Sequence, residues 1–243
     1  RDKRLPFSAD QLQLIFNAPL YTGCLDDWHG YAVSGPARPR RGRFWIPLIA
    51  LFSGLRLNEA CQLDVADIHH IDGVDCFYVT AGATEIGNDK RLKTASSERF
   101  VPIHPTLIEI GFMDFVKRRR GEGDRKLFAD LQRSSTGYYS DPFSKWFRRF
   151  LQRAGAAGPK TCFHSLRHNY RDALREARIP HEVALALGGW SSGNGNDGGE
   201  VAASYGRGYR STTLLTAIEK VSYPRLDLSH LKIVQQATSG ARP

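Results

Sequence analysis

The sequence has no apolar run long enough to cross a bilayer, which takes about 18 residues. Its best candidate, residues 44–52 (FWIPLIALF), contains Pro47 and stops at Ser53-Gly54. No signal peptide opens the chain: Arg1-Asp2-Lys3-Arg4 is charged and no apolar stretch follows it. Cysteine is scarce and scattered. Cys24, Cys61, Cys76 and Cys162 form no Cys-x-x-Cys pair, which argues against a zinc ribbon or a disulfide framework and suits a reducing, cytoplasmic setting. Negative charge is in deficit as well. Across 243 residues, 34 Lys+Arg face 25 Asp+Glu, a net +9. That balance points to a polyanionic partner, most simply nucleic acid. With 41% hydrophobic and 24% charged residues, the chain reads as an ordinary globule, long enough to bury a core.

Hydrophobic periodicity predicts an α+β fold, mostly helical with one small antiparallel sheet, as a single domain over 1–243. Residues 8–17 (SADQLQLIFN) start on a Ser cap and read as a short helix. Residues 34–43 (SGPARPRRGR) carry four arginines and read as a solvated linker, with phosphate contact as the alternative. The run at 44–52 reads as a buried helix with Pro47 in its first turn, and 57–63 as a second helix. The period then changes. VADIHH, the turn Asp72-Gly73 and residues 76–80 read as paired strands. A polar loop from Gly82 to about Lys93 precedes a third strand at 99–103. Helices are predicted at 105–119, 141–154, 165–177, 181–187 and 211–221. Residues 191–199 (SSGNGNDGG) are flexible by composition.

Two clusters carry chemistry. In His164-Ser165-Leu166-Arg167-His168, helical spacing puts His164 on one face with Arg167 or His168. The His164/His168 pair has the spacing of a zinc-protease helix, but that motif requires Glu where Ser165 stands. The pair His164/Arg167 instead sets a proton-transfer group beside a permanent cation suited to phosphate. In Ser53-Gly54-Leu55-Arg56-Leu57-Asn58-Glu59, Arg56 sits at a helix break and Glu59 can hold its guanidinium. Taken alone, a His-x-x-Arg on a helix is more often structural, and an arginine in a turn like that of Arg56 is by default a surface residue or a salt-bridge partner.

Taken in order, SGLRLNEACQL, a sheet segment bearing Lys93, HSLRH, LGGW and the tyrosine of AASYGRGY resemble the tyrosine recombinase (phage integrase) family. The resemblance runs through about residues 44–209. It implies a site-specific recombinase that cuts and rejoins double-stranded DNA through a 3′-phosphotyrosyl intermediate, without a cofactor, as a homo-oligomeric assembly (a synaptic tetramer) on DNA and away from membranes. By the same resemblance Arg56 and Arg167 clamp the scissile phosphate and Lys93 protonates the leaving 5′ oxygen, with Lys90 a rival. His164 is the general acid/base, Trp190 donates its indole N–H, and Tyr205 is the nucleophile in preference to Tyr209. The family's N-terminal DNA-clamping domain is not matched, so the chain reads as a catalytic fragment, with 211–243 a C-terminal helix and tail that packs against a neighbour. Two features depart from the family pattern: Leu187-Gly188-Gly189-Trp190 replaces the common Leu-Gly-His, and the interval from Trp190 to Tyr205 is long. A DNA-binding protein that has lost catalysis on the same scaffold is the alternative, and a metalloenzyme built on His164 and His168 a third.

Overall fold

The structure, a computed structural model, describes residues 4–81, 90–92, 98–190 and 208–233. Its first helix, α1 (Ala9–Phe16), is set by a reciprocal cap. The Ser8 hydroxyl accepts the Gln11 N–H while the Gln11 side chain accepts that of Ser8, so two otherwise unpaired donors are satisfied. After the short α2 (Pro19–Thr22) comes the central helix, α3 (Gly42–Ser53), in which every residue except Arg43 is buried. A helix apolar all round belongs inside a domain. It starts earlier than expected because the Asp130 carboxylate receives the Gly42 N–H at 3.2 Å. Pro47 therefore lies in the second turn rather than the first, where it cannot donate to the Arg43 carbonyl.

The loop before α3 is neither a solvated linker nor a row of waiting cations. Arg40 donates to the carbonyls of Ile110 and Leu231, Arg38 to Thr22, and Arg43 to Asp27 and Trp28, while Arg41 pairs with the Asp27 carboxylate. These side chains fasten the loop to the body of the protein.

Beyond α4 (Leu57–Cys61) and a 3₁₀ turn at Val65–Asp67 lies the sheet, in the order β1 (Ile68–Ile71), β2 (Val74–Val79), β3 (Arg99–Pro102), antiparallel throughout. Asp72 and Gly73 both take positive φ (50° and 79°), as a two-residue hairpin turn of matching twist requires. Val79 lies opposite Arg99 and Phe77 opposite Val101, so Arg99 shares the buried face of the sheet. Tyr78 and Phe100 stack on the other face at 4.5 Å.

One expected helix is split in two. Gly111 takes φ +97° between α5 (Pro105–Glu109) and α6 (Phe112–Gly121), a conformation costly for any residue with a Cβ. The remaining helices are α7 (Ser140–Arg153), α8 (His164–Glu176), α9 (His181–Gly188) and α10 (Ser211–Ile218). Trp45 of α3, Phe77 of β2 and Phe112 of α6 meet in the core. The described part of 211–243 folds back on its own chain: Tyr223 Oη donates to the Leu51 carbonyl at 2.7 Å, and His230 Nε2 bonds that of Phe16 at 2.9 Å. Among the described residues, no helix is long and apolar enough to cross a membrane.

Candidate active site

The site is assembled where α3 ends. Gly54 closes that helix with φ +63°, and a Cβ there would lie 2.5 Å from Cε1 of the buried Tyr170 ring. Only glycine lets the α3–α4 corner approach α8 this closely. Arg56 follows as the N-cap of α4. Its Nη1 donates to Glu59 Oε1 at 2.6 Å and its amide to Glu59 Oε2 at 2.8 Å, while Nη2 reaches the Gly189 carbonyl at 2.9 Å. Arg167, in the first turn of α8 and only 3% exposed, donates to the carbonyls of Gly54 and Gly188. A third arginine joins them from β3. Arg99 gives Nε to the Leu187 carbonyl at 2.9 Å and Nη2 to Glu59 Oε2 at 3.0 Å.

Three guanidinium groups from three elements thus dock on three consecutive carbonyls, 187–189, at the C-terminal end of α9. A helix leaves these carbonyls without intrahelical donors, and they carry the negative end of its dipole. The Gly188-Gly189 pair makes the docking possible. A Cβ on Gly188 would collide with the Trp190 ring, and one on Gly189 (φ +58°) would lie 2.8 Å from Arg99 Nη1. That gives a spatial reason for the Leu-Gly-Gly-Trp sequence.

Among the described residues, the buried carboxylate beside Arg56, Arg99 and Arg167 is that of Glu59, which pairs with Arg56 and Arg99. Burial alone would raise the Glu59 carboxyl; the charge and hydrogen bond of Arg99, with the amide and charge of Arg56, reverse this and bring it down to about 2. Arg167 goes the other way. Burial first, then the Arg99 and Arg56 charges, opposed by Glu59, depress it to about 9. A guanidinium so displaced still holds its proton at neutral pH, but it lies where a further anion would be strongly stabilised.

Trp190 is half-buried beside the same arginines. The Arg167 guanidinium lies 4.7 Å from its ring centroid and that of Arg171 5.3 Å, distances of cation–π contact. His164 is exposed at the start of α8, three residues before Arg167, with its ring edge-on to His168 at 4.9 Å. Among the described residues no group of three or more His, Cys, Asp or Glu side chains could hold a metal ion, so the His164/His168 pair has no third protein ligand there.

Of the predicted site residues, the structure therefore brings Arg56, Arg167 and Trp190 together, with His164 on the same turn of α8 as Arg167. Lys93 and Tyr205 lie outside the described residues. Their rivals are engaged elsewhere. Lys90 is buried, with Nζ 2.6 Å from Asp67 Oδ2 and 2.9 Å from Asp64 Oδ2. The Tyr209 hydroxyl donates to Glu182 Oε2 at 3.3 Å. Glu182 is in the first turn of α9, about 10 Å along the helix from the carbonyls that the arginines hold. Slight desolvation and the Glu182 carboxylate raise the exposed Tyr209 phenol above its ordinary value. Sequence reasoning missed Arg99 and Arg171. For Arg99 the signal was present: in RFVPI it alternates in step with Val101, an arginine on the inward face of a strand.

The model for the phage integrase family matches residues 41–195. That span includes Arg56, Lys93, Arg99, His164, Arg167 and Trp190, and it ends before Tyr205. Among solved structures, the integrase from mycobacterium phage Brujita shares the fold at a TM-score of 0.54 and 18% identity, covering 95% of this chain and 63% of that one. The Tn1549 transposon integrase in complex with transposon right end DNA matches at 0.51 and 20% identity, covering 79% of this chain and 60% of that one. This chain therefore spans about six-tenths of the length of either structure. No curated protein matches the sequence.

Proposed function

The chain belongs to the phage integrase family, and we propose that it is a site-specific DNA recombinase that works through a 3′-phosphotyrosyl intermediate. The observation that carries this reading is the arginine cluster. Arg167 is buried against backbone carbonyls, with Arg56 and Arg99 close by and tied to each other through the Glu59 carboxylate. A phosphodiester bound beside this cluster would meet positive charge already held in place by the protein, and such preorganisation needs little rearrangement as charge grows in the transition state.

In this mechanism Tyr205 Oη attacks the scissile phosphorus, forming a P–O bond to the enzyme while the bond to the 5′ oxygen breaks. The phenol proton passes to His164 acting as base, and Lys93 gives a proton to the departing 5′ oxygen. Arg56 and Arg167 hold the nonbridging oxygens, and the Trp190 indole N–H donates to one of them. The phosphotyrosine retains the energy of the original diester, so attack by a 5′ hydroxyl restores the strand without an external energy source. Exchange of two duplexes calls for several protomers on DNA, which we take as a tetramer.

A DNA substrate nicked close to the cleavage position tests this. Loss of the short fragment that leaves with the free 5′ hydroxyl should trap a covalent protein–DNA adduct, absent in Tyr205→Phe and retained in Tyr209→Phe. A mobility shift without any adduct would reduce the protein to a DNA binder.

A further inference from the structure

Arg99 opens β3, two residues after the 93–97 segment that contains Lys93. Its side chain points inward and is 7% exposed. It makes two charge-bearing connections at once: Nη2 to Glu59 Oε2 at 3.0 Å, and Nε to the Leu187 carbonyl at 2.9 Å. Glu59 in turn grips Arg56 through both carboxylate oxygens. The carbonyls next to that of Leu187 receive Arg167 and Arg56. A single guanidinium therefore ties together the Arg56 corner, the strand leading out of the lysine loop, and the helix end that carries Trp190.

We propose that Arg99 is a positioning residue of the active site, fixing the 187–190 segment and the Glu59 carboxylate so that Arg56, Arg167 and Trp190 converge on one phosphate. Its role is to position rather than to react: the Glu59 carboxylate and the Leu187 carbonyl that it holds belong to the protein, and Gly189 lies against Nη1. Lysine cannot replace it, because one ammonium cannot reach a carboxylate and a carbonyl with a planar fork. Without it, the Leu187 carbonyl and one Glu59 oxygen lose a charge-assisted donor in a buried setting, the kind of loss that loosens a site by more than its hydrogen-bond count suggests.

Two variants, Arg99→Gln and Arg99→Lys, separate positioning from folding. In the DNA-free protein, amide hydrogen exchange at Gly189 and Trp190 should quicken about tenfold or more in both, while the α3 core amides stay protected. This measurement does not depend on activity. The second arm rests on the recombinase reading: single-turnover adduct formation should fall about tenfold to a hundredfold at unchanged DNA affinity. In a Glu59→Gln background the further loss on changing Arg99 should be small, because the two act as one unit. Unchanged exchange at Gly189 and Trp190 overturns the proposal. So does a rate loss matched by an equal loss of DNA affinity, or full additivity with Glu59→Gln. If the unmodified protein forms no adduct, the recombinase reading fails, and the exchange result still decides the role of Arg99.

Discussion

Replacing Gly54 by alanine tests how closely the fold and the site are coupled. At φ +63° an L-residue with a Cβ pays left-handed strain of about 1–2 kcal/mol. The new methyl would also sit 2.5 Å from Cε1 of Tyr170, a side chain with no exposed surface and therefore nowhere to turn. Overpacking of this kind costs about 1–3 kcal/mol. The two effects together give a destabilisation of about 2–5 kcal/mol, a large share of the roughly 5–15 kcal/mol a domain possesses. Relief can come only from α8 moving off the α3–α4 corner. That motion also breaks the Arg167 bond to the Gly54 carbonyl and widens the gap between Arg56 and Arg167. Denaturant unfolding should show a lower midpoint at unchanged slope, and adduct formation should drop further than the lost folded fraction explains. A stability change below about 1 kcal/mol would show that the corner has slack and refute the reasoning.

Arg167→Ala should slow adduct formation about a hundredfold or more in single-turnover trapping, as expected when a preorganised donor to a developing charge is removed. Acid unfolding should report Glu59. Its carboxyl titrates at about 2 in the fold against an ordinary 4.5, so its stabilisation is complete above about pH 4.5 and lost as pH falls towards 2. Urea unfolding between pH 2 and 6 should therefore be flatter in Glu59→Gln, and parallel curves would count against the assignment. Lys90→Met removes the ammonium shared by Asp64 and Asp67; Asp64 keeps Lys126 at 2.9 Å, so the loss falls mainly on Asp67 and should cost about 2–4 kcal/mol in denaturant unfolding. Adding Asp67→Asn should restore part of that loss.

Much of the fold was legible because it follows local rules. The Ser8 cap, the Asp72-Gly73 turn and the apolar run of α3 each constrain only their neighbours, and each appears where expected. Pro47 misled because the start of α3 is set by Asp130, a residue 88 positions away. The helix predicted over 105–119 broke at Gly111 for a comparable reason: its φ of +97° is chosen by the turn between two helices, and any stretch of helical periodicity can contain a glycine.

The candidate site divides along the same line. The order of short motifs along the chain, through the family resemblance, named Arg56, His164, Arg167 and Trp190 as candidates, and the structure places Arg56, Arg167 and Trp190 side by side. What holds them was hidden. Their partners are mostly backbone carbonyls at Gly54, Gly188 and Gly189, and every residue has a carbonyl, so composition gives no hint of which ones are used. Folding alone brings the open end of α9 to three arginines from distant parts of the chain, and it recruits Arg99 as one of them. Ordinary loop arginines such as Arg40 became struts by the same means. A helix end has acceptors to fill, and only the packing of the whole chain determines which donors reach them.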